Sequence, residues 1–266
     1  MVGAAKSGTT TLFQALAAQK DVFLPAVKEP HVYAYLADRS IGSHLFTDPD
    51  QARRHYRDLY EGVGGETAVG DCSTTNLVVA GAADAIASDV PHARIVAILR
   101  QPVDRAFSHF CHFVGAGGED TTDFAAALRR PLGGYPFTYD YLAWGRYGRQ
   151  LRPFYERFGP DRVLVHLYDD LCADSEAVVR TTLRFLGVDG VGPIPPVGRA
   201  NERRRPSPAT PPGRGGLRHR LLRRAPQPAP VPVLDPTLRA ELTATFEGDI
   251  RDLETLIGRD LARWRI

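Results

Sequence analysis

Gly3, Lys6, Ser7, Gly8, Thr9 and Thr10 put two glycines five positions apart, a lysine between them and hydroxyls after the second. Glycines so spaced let the chain wrap backbone N–H groups around an anion, and a helix opening at Thr9 adds its own unpaired N–H groups and positive end. In loops that bind nucleoside triphosphates, lysine and Ser/Thr follow the second glycine directly and reach the terminal phosphates and a magnesium ion. Here Thr9 follows Gly8, the cation stands two places before it, and no magnesium-coordinating partner is evident. The chemistry this suits is metal-free binding of a phosphate-bearing anion. Of the 33 basic residues three are lysines, Lys6, Lys20 and Lys28, all near the start. A compact ammonium can follow an oxygen as charge develops on it, where a guanidinium fork fits less closely. Ninety residues on, the apolar run 93–99 ends in Arg100, and Ser108 follows eight positions later. An arginine at the C-terminal end of a parallel strand and a serine on the next helix both face the crevice where α/β sheets bind ligands, so the pair could share one phosphate.

Taken together, Lys6-Ser7-Gly8-Thr9-Thr10 and Arg100 with Ser108 resemble the two nucleotide signatures of sulfotransferases that use 3′-phosphoadenosine-5′-phosphosulfate (PAPS). That resemblance implies that the first motif grips the 5′-phosphosulfate and the second the 3′-phosphate. The stretch Lys28-Glu29-Pro30-His31-Val32-Tyr33 is similar to the acidic motif of the branch that includes heparan sulfate sulfotransferases and many bacterial relatives. Glu29 matches the glutamate that serves there as base, Lys6 would neutralise the bridging oxygen, and His31 would assist the base or contact substrate. Gly145-Arg146-Tyr147 with Gln150-Leu151, the stretch 162–168, Phe185-Leu186-Gly187-Val188 and the segment from Leu253 to Trp264 follow the family order, so the likeness runs along nearly the whole chain. It implies a cytoplasmic, bacterial, metal-independent transferase that releases 3′-phosphoadenosine-5′-phosphate (PAP). The acceptor would present a hydroxyl or amine on a small molecule, carbohydrate or glycolipid. Lys28, Asp71, Ser73 and Tyr147 become substrate-side candidates. Arg203 and Arg204, in a late basic loop, become donor contacts.

The expected architecture is α/β: a P-loop-like, doubly wound, mainly parallel sheet flanked by helices, all in one domain of residues 1–266. The strand ahead of the loop is represented only by Met1 and Val2, which implies a curtailed first strand or a truncated start. A helix is expected over 9–18 and another over 49–60, capped by Asp48 or Asp50. The stretch 67–71 reads as a buried strand delivering Asp71, Cys72, Ser73 and Thr74 to its C-terminal edge. Helices are expected over 77–88, 104–114, 124–129, 175–186 and 236–257, with a strand over 163–167. The loops 115–120 and 131–136 are candidate substrate-facing lids, with Tyr135, Phe137, Tyr139, Tyr141 and Trp144 nearby as an aromatic wall or as ordinary core. Residues 198–232 differ from the rest, with eight prolines in 206–232 and nine arginines in 199–224. Regular structure is not expected there; the segment is either a basic loop over the nucleotide or a solvated linker.

A net charge of +2, 43% hydrophobic and 24% charged residues describe an ordinary globular chain with no pull towards nucleic acid or an anionic membrane. Three widely spaced cysteines, Cys72, Cys111 and Cys172, argue against a disulfide framework and for a reducing compartment. No run is apolar and long enough to span a bilayer, and there is no signal-peptide pattern. His109, Cys111 and His112 are ligand types at helical spacing, but a structural zinc site needs four convergent ligands. Each site residue has a structural alternative: Glu29 as a solvated loop acid, His31 and Tyr147 as packed core, Ser73 and Thr74 as caps for the next helix. Two other readings remain. One is a P-loop small-molecule kinase using ATP and magnesium, with Asp71 forced into the metal role. The other is an inert domain whose basic arm binds nucleic acid, against which stands the lack of aromatics interleaved with the arginines. Oligomeric state is not legible in the sequence.

Overall fold

The structure, a computed structural model, describes residues 1–42, 44–132, 137–189, 192, 194 and 232–266. In chain order its main elements are α1 (Thr9–Ala17), β1 (Val22–Phe23), α2 (Val32–Ala37), α3 (Pro49–Asp58), β2 (Ala68–Val69), α4 (Thr75–Val78), α5 (Ala82–Asp89), β3 (Ile95–Leu99) and α6 (Pro102–Ala116). Then follow α7 (Phe124–Arg129), α8 (Tyr147–Phe158), β4 (Val163–Leu167), α9 (Tyr168–Ala173), α10 (Ser175–Leu186) and α11 (Pro236–Ile257). The expected Arg203 and Arg204 contacts, and nearly all of the 198–232 segment, lie outside the described residues, as does Tyr135.

β3 and β4 pair in parallel from Ile95 with Val163 to Leu99 with Leu167, and β1 pairs in parallel with β2. Between the two pairs runs the start of the chain. Val2 N–H donates to Val96 O (2.9 Å), Ile98 N–H to Gly3 O (2.8 Å) and Ala4 N–H to Ile98 O (2.8 Å), while Ser73 N–H donates to Met1 O (3.1 Å). The short first strand expected from sequence therefore extends through Ala4, directly into the glycine loop.

β3 is buried along its whole length, and its period of two sends alternate side chains into different cores. Ile95, Ala97 and Leu99 join Phe110 of α6, Leu151 and Phe154 of α8, and Phe246 and Ile250 of α11. Val96 and Ile98 join Leu12 and Leu16 of α1 and Val179 and Leu183 of α10. Helices thus cover both faces of a parallel sheet, which carries the candidate site residues Lys6 and Arg100 at its C-terminal edge, just past Ala4 and Leu99.

Two expectations are corrected. The 67–71 stretch is not a buried strand: only Ala68 and Val69 pair, and Val69 is 49% exposed, because its sole ladder partner is the two-residue edge strand β1. The single helix expected over 77–88 is two, α4 and α5, separated at Gly81, whose φ of 85° cannot continue a right-handed helix. The helices at α3, α6, α7, α10 and α11 match, and Asp48 rather than Asp50 caps α3 by accepting from Gln51 N–H at 2.8 Å.

Gly3 lies so close to α4 that a Cβ there would sit 2.6 Å from Leu77 Cδ2 and 2.8 Å from its Cβ. Gly3→Ala is expected to cost about 1–3 kcal/mol by overpacking. In urea unfolding the double variant Gly3→Ala with Leu77→Ala should be more stable than the sum of the single losses, since the two groups share one space.

Candidate active site

The loop leaving residue 4 turns at Lys6 (φ 67°) and Gly8 (φ 92°) before α1 begins. Gly8 tolerates no other residue without strain: beyond its positive φ, an added Cβ would meet Leu171 Cδ2 at 2.6 Å and the Tyr168 ring at 3.2 Å. Among the described residues just three that are not glycine have positive φ, namely Lys6, Glu29 (61°) and His31 (57°). Such conformations cost free energy and cluster at functional sites. All three line one cavity of about 370 Å³, together with Thr9, Thr10, Lys28, Thr74 and Thr75 on one part of its wall. His109, His112 and Phe113 of α6, with Thr138 and Trp144, complete the wall.

The acidic loop is fastened to the segment after β2. Glu29 N–H donates to Cys72 O at 2.9 Å and His31 N–H to Ser73 Oγ at 3.3 Å. The His31 ring Nδ1 lies 2.9 Å from Thr75 Oγ1. Glu29 has both oxygens engaged, Oε1 by Lys28 Nζ at 2.5 Å and Oε2 by Thr74 Oγ1 at 2.8 Å. Burial pushes its carboxyl pKa up, but the Lys28 ammonium and the Thr74 hydroxyl outweigh that, and the net shift is below the ordinary 4.5. Burial, then the Arg100 charge, holds the Lys6 ammonium below its ordinary 10.5, partly offset by Glu29. Burial likewise lowers His31, which favours the neutral imidazole.

Of the residues expected from sequence, Lys6, Gly8, Thr9, Thr10, Lys28, Glu29 and His31 meet at the cavity. Ser7 is fully buried beneath the loop. Arg100 leans on the loop, its Nη1 donating to Lys6 O at 3.4 Å and its guanidinium 4.8 Å from the Tyr168 ring centre. Ser108 sits half-buried on α6. Asp71 and Ser73 stand behind the wall: Ser73 Oγ donates to Asp71 Oδ1 at 3.0 Å, and Asp71, reached also by Tyr56 OH at 3.4 Å, is raised by burial. Their contacts brace the acidic loop rather than face the cavity. Tyr147 is 1% exposed at the start of α8, packed 6.2 Å from Trp264. Thr75, His109, His112, Phe113 and Thr138 were not singled out as wall residues by sequence; the one available signal was the i, i+3, i+4 spacing of His109, His112 and Phe113, which puts them on one helix face. Among the described residues no cluster of three or more metal-ligating side chains occurs, and no described helix is long and apolar enough to cross a membrane.

A model of the sulfotransferase family matches residues 1–191, and the chain belongs to that family. It is therefore an enzyme, a transferase acting on sulfonate groups. Over 100% of its length it is similar to a sulfotransferase from Alicyclobacillus acidocaldarius known from a crystal structure, with 31% identity, a TM-score of 0.79 and 97% of that chain covered. No curated protein matches it.

Lys28 is the chief group holding Glu29 ionised, so Lys28→Met should leave burial opposed mainly by the Thr74 hydroxyl and raise the Glu29 carboxyl pKa, as read by 13C NMR of labelled glutamate. In the unaltered protein the folded pKa lies below the unfolded one. Ionised Glu29 therefore stabilises the fold above about pH 4.5, and that contribution is lost as pH falls through the folded value. In Lys28→Met that contribution should shrink.

Proposed function

We propose that the cavity joins PAPS to an acceptor hydroxyl or amine, with Glu29 as general base and Lys6 as the cation at the leaving phosphate. One observation carries this reading above others: Lys6 and Glu29 reach the same cavity from two loops, each held in a left-handed backbone conformation that only a well-determined surrounding maintains. Glu29 takes the acceptor O–H proton as that oxygen forms its bond to sulfur. The bond from sulfur to the 5′-phosphate oxygen breaks, its electron pair stays on the phosphate, and PAP departs. Lys6, the backbone N–H groups of Ser7 to Thr10 and the Thr9 and Thr10 hydroxyls meet the charge that accumulates on the leaving oxygen.

Arg100 and Ser108 would hold the 3′-phosphate, Arg203 and Arg204 would add charge from the late basic segment, and Tyr147 would support the loop from below. The loop, the helix start and Lys6 suit a dianionic phosphate, so the donor site fits this chain's residues without a metal. Both glutamate oxygens accept a hydrogen bond, from Lys28 and Thr74. Each oxygen keeps a further lone pair that can take a proton, and an arriving phosphosulfate offers Lys28 a competing anion that draws it from Oε1. A cytoplasmic setting, where such a donor is made, fits this reading, as does an acceptor that is a small molecule or carbohydrate rather than a nucleic acid.

Calorimetry in the presence of a chelator should show PAP binding that Lys6→Ala and Arg100→Ala each weaken by tenfold or more. ATP and magnesium binding in its place would overturn the reading in favour of a kinase. Glu29→Gln should leave PAP affinity within about threefold and lower kcat by roughly 10²–10⁴. The free-enzyme kcat/KM profile should keep its acid limb below pH 4.5, because the base is ionised down to that point, and show an alkaline limb below 10.5 as Lys6 deprotonates.

A further inference from the structure

The charged side chains on the cavity wall are, among the described residues, Lys6, Lys28 and Glu29, all from the two strained loops. The wall contributed by α6 and residues 137–145 is different in kind. Phe113 stacks on Tyr139 (4.8 Å, 9°), His109 stacks on Phe113 (5.1 Å, 24°), and Trp144 meets the His109 ring edge-on (5.3 Å, 71°) while stacking on Phe137 (5.3 Å, 19°). These rings form a braced face with little freedom left to lose when a ligand settles on it. Trp144 is held further by its indole N–H, which donates to Phe137 O at 3.2 Å.

His109 carries a chemical constraint of its own. Its Nδ1 lies 3.2 Å from Arg105 Nη1. A guanidinium has five N–H donors and no acceptor, so Nδ1 accepts and the ring proton resides on Nε2. Arg105 is fully buried and forms no ion pair among the described residues; its other terminal nitrogen donates to Tyr141 O. A cation buried without a carboxylate is costly, and its fixed position forbids a second positive charge on the neighbouring imidazole. Burial, then the charges of Arg105 and Lys6, drive the His109 pKa down to about 2. His109 is thus a neutral donor on a wall whose described residues carry no charge, and His112 is also shifted towards the neutral form, by burial and then Lys6.

Building on the donor reading above, we infer that His109, His112, Phe113, Thr138 and Trp144 form the acceptor subsite and that it takes an uncharged, hydroxyl-bearing ring. The apolar face of such a ring lies against the aromatic wall, and His109 Nε2–H donates to one of its neutral oxygens. An anionic acceptor would give up its hydration against groups that return no charge. It would also sit beside a polyanionic donor that already claims Lys6 and draws Lys28 from Glu29. A phenol and a neutral sugar share the required chemistry, an uncharged ring with an apolar face and a hydroxyl.

The test uses the full-length enzyme saturated with PAP and two matched pairs of probes: 2-naphthol with 6-hydroxy-2-naphthoate, and methyl β-D-glucopyranoside with methyl β-D-glucuronide. Dissociation constants are read by ligand-observed NMR. At least one neutral probe should bind, with its anionic twin weaker by tenfold or more; which neutral probe binds distinguishes an aryl from a sugar source. Equal or tighter binding of the anionic twin, or no binding of either neutral probe to the PAP complex, overturns the inference and leaves the donor reading standing. Failure to bind PAP overturns the donor reading and this inference with it. For His109, the variant His109→Gln, which keeps an N–H donor, should hold the neutral probe within about threefold. His109→Phe should lose tenfold or more with PAP affinity unchanged. Equal losses in both variants, or a loss of PAP affinity, would show His109 to be structural.

Discussion

The parallel pairing of residues 2–4 with β3 is the contact on which the site depends. Three backbone hydrogen bonds of 2.8–2.9 Å hold this short strand, each contributing about 1 kcal/mol net, and Val2 and Ala4 are buried on it. Because the chain leaves that ladder at Ala4 with almost no slack, the positions of Lys6 and Gly8 and the start of α1 follow from it. The other edge of the same strand carries Ser73 N–H to Met1 O, and the segment it fixes is the one that grips Glu29 and His31. One strand thereby sets the distance between Lys6 and Glu29.

That placement leaves both functional loops under backbone strain, and the surrounding contacts explain how it is tolerated. Glu29 is held by the Cys72 carbonyl at its backbone and by Lys28 and Thr74 at its carboxylate; His31 by Ser73 and Thr75. The same contacts tune the chemistry, since the groups that hold the carboxylate also keep it ionised despite its burial. Asp71, which a sequence reading can take for a substrate contact, serves this arrangement from behind by accepting from Ser73 and Tyr56.

The parts legible in sequence are those encoded locally. Glycine spacing, the displaced Lys6, the Lys28-Glu29-Pro30-His31 run and the cap at Asp48 are each written within a few residues. So are the long periodic helices such as α11. The parts not legible depend on packing between distant segments. Nothing near residue 109 announces that Trp144 will stand against it or that the pair will share a cavity with Lys6. The segment at 67–71 has a strand's composition, but its burial depends on what pairs beside it, and β1 offers only two residues. The division of 77–88 into two helices was available in principle, because Gly81 stands between them.

The presence of just three lysines makes one measurement decisive. With lysine Nζ labelled by 15N, the enzyme titrated with PAP in chelator should show Lys6 shifting and its depressed pKa rising towards or past 10.5 as the phosphate neutralises the Arg100 repulsion. Lys28 should shift as it leaves Glu29, and Lys20, which is 83% exposed, should not move. A Lys6 signal indifferent to PAP, or one that responds only to ATP with magnesium, would contradict the assignment of this loop to a sulfonate donor.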